Sequence, residues 1–91
     1  MRTFRQHLAE QLNDREFRAK YQEERQLLEM AFKIMDARRD SGLSQKELAH
    51  RAQITQQQLS RIENGVNCHL LTFLRVCQAL GMTLELGAAA K

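Results

Sequence analysis

Proline is absent from the 91 residues, so no residue forces a break inside a helix. Glycine is scarce, with four in all. Three of them, Gly42, Gly65 and Gly81, stand where helical patterns stop. These two scarcities point to a mostly helical chain. No apolar stretch approaches the ~20 residues needed to cross a bilayer. The first residues, MRTFRQHLAEQ, lack the apolar core of a signal peptide, so a cytoplasmic protein is expected. Cysteine occurs twice, as Cys68 and Cys77. The pair could form a disulfide, bind a metal or stay as thiols. No second pair of ligands stands at zinc spacing, Cys68-His69 has no further ligand nearby, and Cys77 falls on an apolar stripe. Free, buried or idle thiols are the expectation, with no metal and no cofactor. His7, His50 and His69 are far apart, and none sits beside a plausible base or nucleophile. No enzyme is expected, and His50 reads as a surface residue.

Hydrophobic residues make up 43% and charged residues 27% of the chain, with a net charge of +3. One globular domain follows from that length and balance. The basic excess is mild, compatible with a nucleic-acid partner but not diagnostic of one. In the first forty residues acidic and basic side chains interleave and mostly cancel.

Thr3-Phe4-Arg5-Gln6 reads as a capping box, and Phe4, Leu8 and Leu12 follow at helical spacing. A second, longer helix starts at Asn13 or Asp14. Its apolar positions are Phe17, Tyr21, Leu27, Leu28, Ala31, Phe32, Ile34 and Met35, and it stops near Gly42 after Arg38-Arg39. Two short helices are expected at about 45–52 and 56–63, and another at about 70–80 with Leu70, Phe73, Leu74, Val76, Cys77 and Leu80. After Gly81 the period changes to two. Met82, Leu84 and Leu86 alternate with Thr83 and Glu85, a strand pattern. Residues 87–91 read as a frayed tail.

The informative stretch is SQKELAHRAQITQQQLSRIENG, Ser44 to Gly65. Ser44–Glu47 and Thr55–Gln58 are two capping boxes. Their spacing leaves room for two short helices and a tight turn. Leu48, Ala52, Ile54, Leu59 and Ile62 supply a shared apolar seam, and Ala49 is small where the helices cross. The second helix opens with three glutamines. Glutamine pairs in bidentate fashion with adenine, and arginine with guanine. Gln56, Gln57 and Arg61 are therefore the candidate base contacts. Gln45, at a helix N-terminus, is placed for phosphate.

This stretch resembles the Cro/cI-type helix-turn-helix family, also called the XRE family, over about Arg38 to Gly81. The resemblance implies base contacts from residues like Gln56, Gln57 and Arg61. It implies backbone contacts from Ser44, Gln45, Thr55, Gln58 and Asn64, and a structural ion pair between Arg38 and Glu63. The chain departs from the family at Gln53, where the turn usually has glycine. The implied fold is all-α: a lambda-repressor-like bundle at 26–87, a helical extension at 1–25, and one C-terminal β-strand that pairs across a dimer. The charged extension, the short length and the ending LTFLRVCQALGMTLEL are similar to HigA-type antitoxins. That similarity implies a homodimer that represses its own operon on double-stranded operator DNA and neutralises a RelE-like mRNA-cleaving toxin. Phe4, Leu8, Leu12, Phe17 and Tyr21 are then candidate toxin contacts, unless the stripe packs back on the chain's own core. The rival reading is a stand-alone regulator, such as a phage repressor or a restriction-modification controller. Met82, Thr83, Leu84, Glu85 and Leu86 are the candidate dimerisation residues. A strand needs a partner for its backbone groups, and the same segment of a second copy would supply it. Met82, Leu84 and Leu86 are expected to face the helices.

Overall fold

The computed structural model describes residues 3–11 and 14–88. Its elements are five helices: α1 (Phe4–Gln11), α2 (Arg15–Asp40), α3 (Gln45–Ala52), α4 (Gln56–Glu63) and α5 (Leu70–Ala79). Local chemistry explains four of the five starts. Thr3 and Gln6 exchange backbone-to-side-chain bonds of 3.0 and 3.2 Å ahead of α1. Asp14 caps α2 by accepting from the Phe17 N–H at 2.9 Å. Ser44 with Glu47 and Thr55 with Gln58 close reciprocal boxes on α3 and α4. Each box satisfies two N–H groups that a helix start leaves open. Leu12 and Asn13 lie outside the described residues, as do 89–91 of the tail.

The core joins α2 through α5. Ile34, Leu48, Leu59 and Val76 are its fully buried large side chains, with Ala49, Ala52, Ile62, Phe73 and Cys77 around them. α3 packs on both α4 and α5, and α2 closes over α4. Burying each large aliphatic side chain contributes about 1.5–3 kcal/mol. Ala49, 2% exposed, has no side chain beyond Cβ and lets the helices approach.

α2 has 26 residues, whereas α3, α4 and α5 have 8, 8 and 10. At 1.5 Å per residue it is roughly three times as long as they are, so it overshoots the bundle. Only Ala31 and Ile34 of its apolar positions are buried, and Leu28 and Phe32 remain 46% and 59% exposed. The described residues of the N-terminal stripe are not part of the core cluster. Phe4 is 78% and Tyr21 38% exposed. Leu8 and Phe17 are half-buried, and Phe17 stacks on Tyr21 with ring centroids 6.4 Å apart.

The expected C-terminal strand is not formed in the single chain, and the described residues contain no strand. Gly81 adopts φ 69°, and the Met82 N–H returns to the Cys77 carbonyl at 2.8 Å. Met82 then rests against the core. Leu84 and Leu86, expected to face the helices, are instead 43% and 96% exposed. A strand exists only with a neighbouring ladder, and no other described segment supplies one.

Candidate nucleic-acid interface

The link between α3 and α4 sets the angle of the surface that follows. Gln53 ends α3 with φ 59° and ψ 42°, the left-handed conformation. The Ile54 N–H donates to Ala49 O at 3.0 Å, and Ile54 tucks its side chain against the core. A non-glycine residue in this conformation costs about 1–2 kcal/mol. The departure at Gln53 therefore leaves the turn geometry intact and adds local strain.

α4 divides cleanly by face. Leu59 and Ile62 are buried, while Gln56, Gln57, Gln58 and Arg61 are exposed. Gln56 and Gln57 sit at the start of the helix, and their side chains make no hydrogen bond within the protein among the described residues. Their amides keep both donor and acceptor for an outside partner. Gln45, half-buried, is the first residue of α3.

Other site residues are already engaged. Ser44 Oγ accepts from the Glu47 N–H at 3.1 Å, and Thr55 Oγ1 accepts from the Gln58 N–H at 3.0 Å. The Thr55 hydroxyl therefore retains its proton for donation, whereas that of Ser44 faces the Glu47 carboxylate. Asn64 Nδ2 donates to Ser60 O at 2.8 Å, which leaves its second amide proton and its oxygen available. Glu47 stands below the usual carboxylate range, because the Ser44 backbone N–H and hydroxyl stabilise its charged form and Arg51 adds to this. It therefore stays ionised and holds the start of α3.

Arg38 and Glu63 meet beneath this surface. Arg38 Nε and Nη2 donate to the two oxygens of Glu63 at 2.9 Å each, and Nη1 donates to the Leu43 carbonyl at 2.9 Å. Side-chain exposure is 13% for Arg38 and 2% for Glu63. One guanidinium thus ties the end of α2, the loop before α3 and the end of α4. The fork geometry suits arginine and not lysine.

Hollows flank α4 on two sides. One is lined by Lys46, Glu47, Ala49, His50, Ile54 and Gln56. The other is lined by Gln58, Arg61, Asn67, Cys68, His69 and Thr72. Lys46, Asn67, His69 and Thr72 are absent from the sequence-derived site. The segment that carries Asn67 and His69 is irregular and offers no periodicity, so only the folded chain brings it beside α4. Cys77 is buried, Cys68 half-buried, and both are free. Burial pushes both thiols up. Among the described residues no group of histidines, cysteines and acids could hold a metal ion. No described helix is long and apolar enough to cross a membrane.

Two capped helices, a tight turn and an exposed amide-rich second helix are now in place. Residues 34–86, more than half of the chain, match the helix-turn-helix family. The chain belongs to the Cro/cI-type (XRE) helix-turn-helix family. It is a DNA-binding regulator of that family. No curated protein matches it significantly. In this helix-turn-helix protein α3 and α4 are the two helices of the motif, with Gln53 in the turn. α2, α5 and the Arg38–Glu63 pair hold them at a fixed angle.

Proposed function

We propose that this protein is a sequence-specific, dimeric repressor that acts as the antitoxin of a toxin–antitoxin pair, binding its own operator and a RelE-like mRNA-cleaving toxin. In this reading Gln56, Gln57 and Arg61 read bases in the major groove. Ser44, Gln45, Thr55, Gln58 and Asn64 hold the flanking backbone. Support comes from the face of α4, whose first two glutamines are exposed and unengaged.

The toxin-binding part is carried by one observation: two aromatic residues of the apolar stripe ahead of the family match are exposed, Phe4 at 78% and Tyr21 at 38%. An apolar surface of that kind, outside a complete core, suits a protein partner. Residues 1–25 act as the extension and 26–87 as the DNA-binding unit, with α2 running continuously through both. Phe4, Leu8, Phe17 and Tyr21 are the proposed contacts. The dimer follows from the reach of a single recognition helix, which covers too few base pairs for a specific operator. Two helices about one DNA turn apart read a palindrome.

The test pairs a gel shift on the chain's own promoter with a pull-down of the product of any toxin-sized neighbouring reading frame. Gln56→Ala and Gln57→Ala each weaken specific binding by about 1–3 kcal/mol and relax base preference, while Gln45→Ala weakens all sequences evenly. Deleting residues 1–22 spares DNA binding and abolishes toxin capture. Capture by the truncated protein would remove the toxin-binding surface from this proposal. Absence of any such neighbouring frame would favour a stand-alone regulator.

A further inference from the structure

We infer that, in the dimer proposed above, the recess between the ends of α3 and α5 of one copy receives Glu85 of the other. The inference rests on that dimer and names a polar contact that sets its register. The recess is lined by Arg51, Gln53, Arg75 and Gln78, together with Ala52 and Ala79. Its space is about 310 Å³, and no carboxylate lines it.

The charge of the recess is unbalanced. α3 and α5 both end here, at Ala52 and Ala79. Each helix end carries about half an elementary negative charge, so the two together offset about one arginine. The second arginine is left over. Arg51 also interacts with the carboxylate of Glu47, four residues earlier on α3, which makes Arg75 the freer of the two. Arg75 is exposed, and its side chain has no ion pair or hydrogen bond among the described residues. The exposed amides of Gln53 and Gln78 can donate to the same anion.

The sequence offers one acid for this place. Beyond Glu63, Glu85 is the sole aspartate or glutamate. It is exposed and has no ion pair among the described residues. The Met82 N–H bonds to the Cys77 carbonyl at 2.8 Å, which starts the terminal segment at the end of α5. An extended run from Met82 then carries Glu85 about 10 Å away from its own recess. Two-fold antiparallel pairing about Leu84 reverses this. It sets the partner's Glu85 opposite Thr83, so the partner's carboxylate returns to the end of α5. Thr83 and Glu85 share the face opposite Met82 and Leu84, which keeps the charge out of the apolar seam. A slipped pairing would part the carboxylate from Arg75 at both ends of the interface.

The experiment measures the dimer dissociation constant of the full chain by sedimentation at low and high salt. Arg75→Glu and Glu85→Arg should each raise it about tenfold or more, because each sets like charges together at both symmetry-related contacts. Glu85→Gln removes the charge without repulsion and should raise it by a few-fold, with a weaker salt dependence. An equimolar mixture of the Arg75→Glu and Glu85→Arg proteins should dimerise about as tightly as the parent, since both contacts of the mixed dimer then join opposite charges. The chain with both substitutions should recover as well. Circular dichroism checks folding, and the two Glu85 variants decide the matter should Arg75→Glu fail to fold. Charge variants that dimerise like the parent overturn the inference. So does recovery in the doubly substituted chain without recovery in the mixture, which would place Glu85 on its own arginine. Truncation after Gly81 separates this contact from the dimer itself. If the truncated chain stays a tight dimer, the strand interface has failed. If it is monomeric while the charge variants dimerise normally, only the Glu85 contact has failed.

Discussion

Leu28 lies against Gly65: a Cβ placed on Gly65 would come within 2.8 Å of Leu28 Cδ2. Gly65 also holds φ at 76°, ending the turn after α4 so that Val66 can donate back to Arg61 O at 3.0 Å. Glycine is needed here twice, for the backbone and for the close approach of α2. Gly65→Ala should destabilise the protein by about 1–2 kcal/mol from the backbone alone, plus the displacement of Leu28. Chemical denaturation of Gly65→Ala with and without Leu28→Ala separates the parts. The cycle should show coupling, because removing the leucine side chain relieves the contact but not the strained φ.

The Arg38–Glu63 pair makes a larger prediction. Glu63→Gln leaves an almost fully enclosed guanidinium without its counter-charge and should cost about 3–5 kcal/mol. Replacing both partners with apolar residues of similar volume should cost much less, since no charge is then stranded. The denaturation midpoints of the single and double variants check this. An unchanged midpoint for Glu63→Gln would mean the pair contributes no more than a solvent-exposed one.

Gln53 offers a stabilising change. Glycine adopts φ near 59° without the ~1–2 kcal/mol cost borne by glutamine. It also gives the unfolded chain more freedom, which offsets about 0.4–1 kcal/mol. Gln53→Gly should therefore raise stability by under about 1 kcal/mol, read as a small rise in melting temperature, with DNA affinity unchanged.

Glu47 predicts a pH dependence. Its carboxyl is depressed below the ordinary value of 4.5 by the Ser44 backbone N–H and hydroxyl. A group with a lowered folded-state pKa contributes stability above its unfolded value. That contribution is lost as the pH falls through the folded value. The capping box on α3 should thus weaken in the acid range below the usual carboxylate titration. Glu47→Gln keeps an acceptor for the Ser44 N–H and should flatten that part of the stability–pH curve. Thermal melts from neutral pH into acid provide the comparison.

The proposed dimer predicts the behaviour of the C-terminal segment. Leu84 and Leu86 are exposed in the single chain, and their backbone has no ladder to join. Truncation after Gly81 should give a monomer by sedimentation and a large loss of operator affinity. A truncated protein that stays a tight dimer would assign the interface to helix faces.

Much of this protein is written in local chemistry. The caps at Thr3, Asp14, Ser44 and Thr55 involve residues three apart, and such signals survive in a one-dimensional text. So does the alternation that buries Leu48, Leu59 and Ile62 and exposes Gln56, Gln57 and Arg61. The helices and the character of α4 follow from these patterns because a helix repeats every 3.6 residues. Other features depend on distance in space. The apolar periodicity of α2 gave no sign that Leu28 and Phe32 would stay exposed, because burial depends on how far the shorter helices reach along it. The alternation from Met82 to Leu86 reads as a strand, yet only a partner ladder can make it one. Residues beyond α4, Asn67 and Thr72 among them, carry no pattern that places them beside Gln58. That hollow exists because α5 packs on α3 and returns the chain to that side of α4. Local hydrogen bonds and helical period determined the elements, and burial among distant residues decided which surfaces they leave open.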